Sequence, residues 1–296
     1  MIHKVLIPVA GRGTRLMPVT SVVPKALFPL VTNDNTIRCF LHMILEQIVT
    51  AGIEQVGIVV SQNQTDLLKQ YFKSAVSGGF GRLPVHIEYI VQSTPAGFGD
   101  AVLQAADFVG NEPFVLMLGD HIHIAGDNEP SCVMQVTGAF EDSDGAAMIG
   151  VQQVSVDELC MVGVVRGERI KDNIYLCTDF IEKPDMQIAQ KRLVTENLPE
   201  GAFLAHCGIY AFNPEIFDCL LQVSKTARKA GREIELSDAQ SLLLKRHPGR
   251  YFLYRIAGHA YDIGTPAGYV NAQTACIHSN AGLLRYVSRP YHQAIV

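Results

Sequence analysis

The seven cysteines include no Cys-x-x-Cys pair: Cys39, Cys132, Cys160, Cys177, Cys207, Cys219 and Cys276 are odd in number and widely scattered. They read as reduced core thiols rather than a disulfide framework. No stretch approaches the roughly 18 uncharged apolar residues of a spanning helix. The opening Met1-Ile2-His3-Lys4-Val5-Leu6-Ile7-Pro8 has too short an apolar run for a signal peptide, and no small-residue cleavage site. The cytoplasm is therefore the expected compartment, with no membrane partner. Excess positive charge is missing too. A formal net charge of −5 argues against a nucleic-acid partner but leaves room for a local basic pocket. Linkers, repeats and low-complexity tracts are also absent, and 48% hydrophobic against 18% charged residues excludes disorder. One α/β domain over residues 1–296, with insertions in its second half, is the expected organisation.

Lys4 to Val9 is a short apolar run ending at Ala10-Gly11-Arg12-Gly13, which reads as a buried strand feeding a glycine loop. Between Thr36 and Ala51, apolar residues recur at spacings of three and four before Gly52, which predicts an amphipathic helix. Val56 to Val60 reads as a strand, Asp66 to Val76 as a helix, Val85 to Val91 as a strand, Gly99 to Phe108 as a helix and Phe114 to Leu118 as a strand. This alternation implies a mostly parallel sheet covered on both faces. From residue 144 the rhythm changes. Strand-like pieces at Ala146 to Val151, Val162 to Arg166, Leu176 to Ile181, Ala202 to Phe212 and Tyr251 to Ile256 are joined by helices at Pro214 to Val223 and Ser237 to Lys245. A last helix follows Pro266 and ends near Ala281. Residues 1–143 and 144–296 are thus two halves of different rhythm.

The first chemical candidate is Pro8-Val9-Ala10-Gly11-Arg12-Gly13-Thr14-Arg15-Leu16, followed by Val23-Pro24-Lys25. Glycines after a strand let backbone approach a ligand, and successive N–H groups there make an anion nest suited to phosphate. A dinucleotide fingerprint lacks its third glycine, because Leu16 stands there, and a P-loop lacks its Gly-Lys-Ser/Thr ending. Arg15 and Lys25 are instead the cations to clamp a triphosphate, whose transfer gathers charge on phosphoryl oxygens.

These residues resemble the signature of the nucleotide-sugar pyrophosphorylases, the sugar-1-phosphate nucleotidyltransferases, and among them the bacterial UTP–glucose-1-phosphate uridylyltransferases. Gly11-Arg12-Gly13-Thr14-Arg15 and Pro24-Lys25-Ala26-Leu27-Phe28-Pro29 carry the resemblance, and further matches follow in order along nearly the whole chain. It implies a Rossmann-like, mostly parallel mixed sheet flanked by helices, of GT-A-like form. It also implies Mg²⁺, a homodimer or homotetramer, and transfer from UTP to glucose 1-phosphate. Catalysis falls to Arg15, Lys25 and Lys183, and nucleotide binding to Ala10, Gly11, Gly13, Thr14, Gln92 and Gly97. Gln92, with Pro95-Ala96-Gly97-Phe98-Gly99-Asp100-Ala101, matches the family's base-binding segment: its amide offers a donor and an acceptor to a base edge, and Gly97 leaves room for the ring.

Asp120 follows the apolar run Phe114 to Leu118, so it would emerge at a strand's C-terminal end, where open α/β sheets bind ligands. The resemblance makes Asp120 and Asp262 the metal ligands, and two carboxylates are the hard donors Mg²⁺ takes. His121 and His123 read as residues lining the site, not ligands. Phe180-Ile181-Glu182-Lys183-Pro184 matches the family's Glu-Lys-Pro motif, in which the carboxylate binds sugar hydroxyls and the ammonium the sugar's phosphate. Gly163 and Gly208 fall where the family opens its sugar pocket. Glu233-Ile234-Glu235-Leu236-Ser237-Asp238 reads as a helix start with Ser237 as N-cap, linked only indirectly to the site.

Three departures bear on specificity. Ala26 stands where the uridylyltransferases have glutamate and the thymidylyltransferases glutamine, the segment between Val60 and Val85 is short, and Leu118-Gly119-Asp120 resembles a thymidylyltransferase equally well. A glucose-1-phosphate thymidylyltransferase using dTTP is thus the alternative. A catalytically silent homologue would have lost Arg15, Lys25, Asp120, Lys183 or Asp262, and all are present. A glycosyltransferase needs an Asp-x-Asp at a strand end, whereas Asp142-Ser143-Asp144 sits in a polar stretch.

Overall fold

The computed structural model describes residues 1–278 apart from 33, 82 and 85. Strand β1 (Lys4–Pro8) has both faces covered, with Val5, Leu6 and Ile7 fully buried, which is why its sequence is continuously apolar rather than alternating. Strands β2 (Pro29–Val31) and β3 (Ile37–Cys39) then form a small antiparallel pair. Helix α1 (Phe40–Thr50) starts four residues later than the periodicity predicts. Residues 37–39 are drawn into β3 by pairing with β2, and the Cys39 N–H donates to Tyr71 Oη at 2.9 Å. What remains of α1 buries Phe40, Leu41, Ile44, Leu45 and Ile48 on one face.

Next come β4 (Gln55–Val60), α2 (Thr65–Ser77) and β5 (His86–Val91); the expected strand start at Val85 lies outside the described residues. The single helix expected from Gly99 to Phe108 is two short ones, α3 (Phe98–Leu103) and α4 (Ala106–Val109). Strands β6 (Phe114–Met117) and β7 (His121–Ala125) precede α5 (Cys132–Glu141), whose N-terminus is capped by the Ser131 hydroxyl. The second half runs β8 (Ala147–Ser155), β9 (Gly163–Lys171), β10 (Ile174–Glu182), α6 (Met186–Arg192), β11 (Ala202–Phe212), α7 (Glu215–Lys229), α8 (Leu236–Arg246), β12 (Tyr251–Arg255), β13 (Gly258–Asp262) and α9 (Pro266–His278). The expected end of α9 near Ala281 lies outside the described residues.

Nine strands form one mixed sheet in the order β5-β4-β1-β6-β11-β8-β12-β10-β9. Its first four strands are parallel, as the strand–helix alternation requires. From β6 onward, antiparallel pairings dominate, and among the described residues only β12 on β8 is parallel. One face packs against α1, α2 and α5 through residues such as Ile44, Leu68 and Val136. The other packs against α3, α7 and α8 through Val102, Leu220 and Leu243. The cysteines are all free thiols. Six are buried as expected, but Cys160 is exposed, because it falls in the short 3₁₀ turn Val156–Met161 at the surface. No described helix is long and apolar enough to cross a membrane.

Candidate active site

Where β1 and β6 end side by side, the chain leaves the sheet and a cleft of about 730 Å³ opens. The Val9 N–H still donates to Val59 O at 2.7 Å, so β1 holds its direction and releases Ala10, Gly11 and Arg12 onto the cleft wall. Gly13 and Thr14, expected to bind nucleotide, do not line the cleft. They fold the loop instead: Thr20 Oγ1 donates to Gly13 O at 2.8 Å, and Thr14 begins the 3₁₀ turn that carries Arg15. Lys25 enters from a further 3₁₀ turn (Lys25–Leu27), together with the buried Ala26.

Two acidic groups 142 positions apart meet through a short antiparallel pair, in which β13 runs against β7 with Asp262 opposite His121. The Ile263 N–H donates to Asp120 O at 2.9 Å and closes the junction. Ligand atoms of Asp120, His121 and Asp262 lie within 4.8 Å of one another. Lys25 Nζ sits 2.6 Å from Asp120 Oδ2, and Arg15 reaches Asp262 Oδ2 at 4.0 Å. The site therefore pairs two carboxylates with two cations. Burial alone would raise the Asp120 pKa, but the hydrogen bond and charge of His121, with those of Lys25, outweigh it and hold the carboxyl well below the usual range. Burial opposes charge on His121, but the Asp120 carboxylate at 2.9 Å prevails and raises the imidazole pKa.

Beyond the edge strand β5, the cleft is lined by Gln92, Pro95, Gly97 and Phe98. Gly97 has φ +107, and a Cβ there would lie 2.5 Å from Ile234 O, so only glycine fits. Ile234 holds this loop from outside, accepting from the Gly99 N–H and donating to Ala96 O, both at 2.8 Å. That clamp corrects the reading of residues 233–238. Helix α8 begins at Leu236, its N-cap position is Glu235 with no side-chain cap, and Ser237 lies inside the first turn. Ser237 caps nothing because the extended, loop-pairing backbone ends at Glu235. Glu233 lines the cleft directly.

From β9, the end of β10, and β11, the cleft is lined by Gly163, Glu182 and Lys183 together with His206 and Tyr210. A Cβ on Gly163 would come within 2.8 Å of Glu182 Oε2, so the missing side chain leaves that carboxylate clear. Lys183 adopts φ +48, and its ammonium lies 3.6 Å from Glu182 Oε1. His206 stacks on Phe180 with ring centroids 4.7 Å apart, and burial pushes its pKa down to about 3. Gly208 lies behind the lining, at 2.9 Å from the Leu118 N–H through its carbonyl.

His121 lines the cleft as expected, but His123 does not. It shares a strand face with His121 but lies two residues further along β7, where the chain is covered: it is 4% exposed, its Nε2 sits 2.7 Å from Cys207 O, and burial lowers its pKa to about 3. Asp142-Ser143-Asp144 follows the C-terminus of α5 and lines no part of the cleft. Arg12, His206, Tyr210 and Glu233 were not assigned roles from sequence. Of these, Arg12 stood inside the Gly11-Arg12-Gly13-Thr14-Arg15 signature and Glu233 inside a segment read as a helix start, whereas His206 and Tyr210 flank Gly208, the one residue of that strand assigned to the sugar pocket.

Residues 4–279 match the family model described as nucleotidyl transferase. A UTP–glucose-1-phosphate uridylyltransferase of Streptococcus pneumoniae serotype 4 (strain ATCC BAA-334 / TIGR4) is 33% identical, with 91% of this chain and 88% of that protein covered. The UTP–glucose-1-phosphate uridylyltransferase YngB of Bacillus subtilis (strain 168) is 30% identical, covering 92% of this chain and 89% of its own. A solved UDP-glucose pyrophosphorylase complexed with UDP-glucose is similar in structure, with a TM-score of 0.76 and 28% identity over 98% of this chain and 100% of that one.

Proposed function

The chain belongs to the nucleotidyl transferase family, and from that premise we propose that it joins UTP to glucose 1-phosphate, giving UDP-glucose and pyrophosphate. One observation carries the reading. A single cleft is lined by paired carboxylates and cations where β1 and β6 end, by Gln92 and Gly97 beyond β5 to one side of them in the strand order, and by Glu182 and Lys183 at the end of β10 to the other. That layout suits a nucleotide and a sugar phosphate laid end to end, with their phosphates meeting in the middle.

In the proposed reaction, an oxygen of the sugar's phosphate attacks the α-phosphorus in line. The bond from that phosphorus to the α–β bridging oxygen breaks, and pyrophosphate leaves with the electron pair. No protein nucleophile is needed, so the residues act by positioning and charge. Arg15 and Lys25 receive the charge developing on the leaving pyrophosphate. Lys183 holds the attacking phosphate as a point cation, and Glu182 accepts hydrogen bonds from sugar hydroxyls. Ala10 and Gly11 turn their backbone toward the phosphates, while Gln92 and Gly97 admit a one-ring base.

The converging oxygens of Asp120 and Asp262 are the hard donor set Mg²⁺ takes, and we assign the ion to them. When bound, it supplies positive charge against phosphate oxygens. His121, hydrogen-bonded to Asp120, orients that carboxylate. The same reading takes the enzyme to be cytoplasmic and a homodimer or homotetramer, which size-exclusion chromatography with light scattering tests.

Leu118-Gly119-Asp120 and the apolar Ala26 favour dTTP as the second nucleotide. Measuring pyrophosphate release across a panel of nucleoside triphosphates and sugar 1-phosphates tests the proposal. No release with UTP and glucose 1-phosphate overturns it.

A further inference from the structure

Gln92 is only 6% exposed, and its amide is not free to turn. Nε2 donates to Asp100 Oδ2 at 2.8 Å and to Gly97 O at 3.3 Å. Both amide N–H groups are therefore committed to acceptors, and Oε1 makes no hydrogen bond among the described residues. Asp100 is itself held: it is 3% exposed, Gln104 Nε2 lies 3.4 Å from its Oδ1, and Arg228 reaches the same oxygen at 3.7 Å. Turning the Gln92 amide over would lose both donor contacts and set its carbonyl against a carboxylate, an arrangement without a bridging proton.

We propose that Asp100 is a specificity-determining positioning residue, locking Gln92 so that it offers the base a carbonyl acceptor and no donor. The inference rests on the reading of Gln92 as the residue that meets the base edge. An acceptor at that point selects rings with an N–H at position 3. Uracil and thymine both carry one, whereas cytosine has a lone pair there and would face Oε1 with nothing to share. The committed amide thus excludes CTP, while the methyl difference between uracil and thymine lies outside its reach. A free glutamine would discriminate poorly, because its amide can present either end.

Asp100→Asn tests the lock with little change of shape. A carboxamide can accept from Gln92 Nε2 or donate to Gln92 Oε1, so both orientations become available. With glucose 1-phosphate held saturating, kcat/KM is measured for UTP, dTTP and CTP in both proteins. In the variant the UTP-to-CTP ratio should fall by about tenfold or more, with CTP gaining while UTP loses, since unpaired polar groups in a built site discriminate strongly. The UTP-to-dTTP ratio should stay within about twofold, because both bases present the same N–H.

A merely structural role for Asp100 would lower UTP and CTP together, and an unchanged UTP-to-CTP ratio overturns the proposal. Hydrogen exchange of side-chain amides in the unsubstituted protein gives a second reading that needs no variant. The Gln92 amide protons should exchange more slowly than those of the exposed Gln187, and equal rates overturn the lock. A wild-type chain with no preference for UTP over CTP overturns the base-site reading itself, a failure visible before any substitution is made.

Discussion

Asp262→Asn separates the charge of the acidic pair from its place in the fold. Asp262 Oδ1 accepts the Gly264 N–H at 2.5 Å, and the asparagine carbonyl can keep that bond. The ion pair with Arg15 spans 4.0 Å between side chains 59% and 39% exposed, and pairs so open to water contribute only about 0 to 1 kcal/mol. Stability should therefore fall by no more than about 1 kcal/mol, or roughly 2 to 4 °C in Tm for a chain of this size. Turnover should respond quite differently. Losing one of two anionic ligands in a site that works by metal and charge removes several kcal/mol of transition-state stabilisation. At about 1.4 kcal/mol per factor of ten, a loss of 3 kcal/mol cuts kcat/KM by roughly two orders of magnitude. Pyrophosphate release over a Mg²⁺ titration, with a thermal melt on the same sample, reads both quantities. Near-normal turnover, or a loss of activity matched by a collapse in Tm, would refute the reasoning.

Lys183→Ala should raise the KM for sugar 1-phosphate and Lys25→Ala the KM for nucleotide, each by about one to two orders of magnitude for a lost charge-assisted contact. Steady-state kinetics with each substrate varied checks this, and the opposite pattern exchanges their roles. Gly97→Ala forces a Cβ to 2.5 Å from Ile234 O at φ +107, so it should cost about 1 to 3 kcal/mol in chemical denaturation. It should also weaken UTP binding; unchanged stability would show that the Ile234 clamp is loose. Burial depresses the folded His206 pKa from 6.5 to about 3. Its contribution to stability is therefore complete above pH 6.5 and is lost as pH falls toward 3, at up to about 1.4 kcal/mol per pH unit. His206→Phe, which preserves stacking on Phe180, should flatten that acid limb in denaturation measured between pH 7 and 4, and an unchanged slope contradicts it.

The apolar runs of β1, β4, β6 and β11 were legible because strands covered on both faces must be apolar along their length, and the body of α1 followed from its spacing, whereas the helix expected over 99–108 divides in two and α5 was not expected at all. The junction that matters most was not. β7 and β13, His-Ile-His-Ile-Ala and Gly-His-Ala-Tyr-Asp, are short and polar, and they become strands only by pairing with each other across 132 residues or more. Nothing local brings Asp262 to Asp120, so their meeting was reached through family resemblance alone. The same limit hid Glu233, because the bonds of Ile234 to Ala96 and Gly99 are long-range and leave no periodic trace. It also delayed the start of α1, where pairing with β2 overrides a helical spacing. Most residues read from a motif line one cleft, whereas Gly13 and Thr14, from the same signature, fold its loop instead.

Following the reaction of UTP with glucose 1-phosphate and Mg²⁺ by phosphorus NMR tests the central claim most directly, since every reactant and product carries phosphorus. The account predicts UDP-glucose and pyrophosphate appearing in equal amounts, faster with UTP than with dTTP, and much faster than with ATP or GTP. Inorganic phosphate as the product, a purine nucleotide in the lead, or no new resonance at all would contradict it.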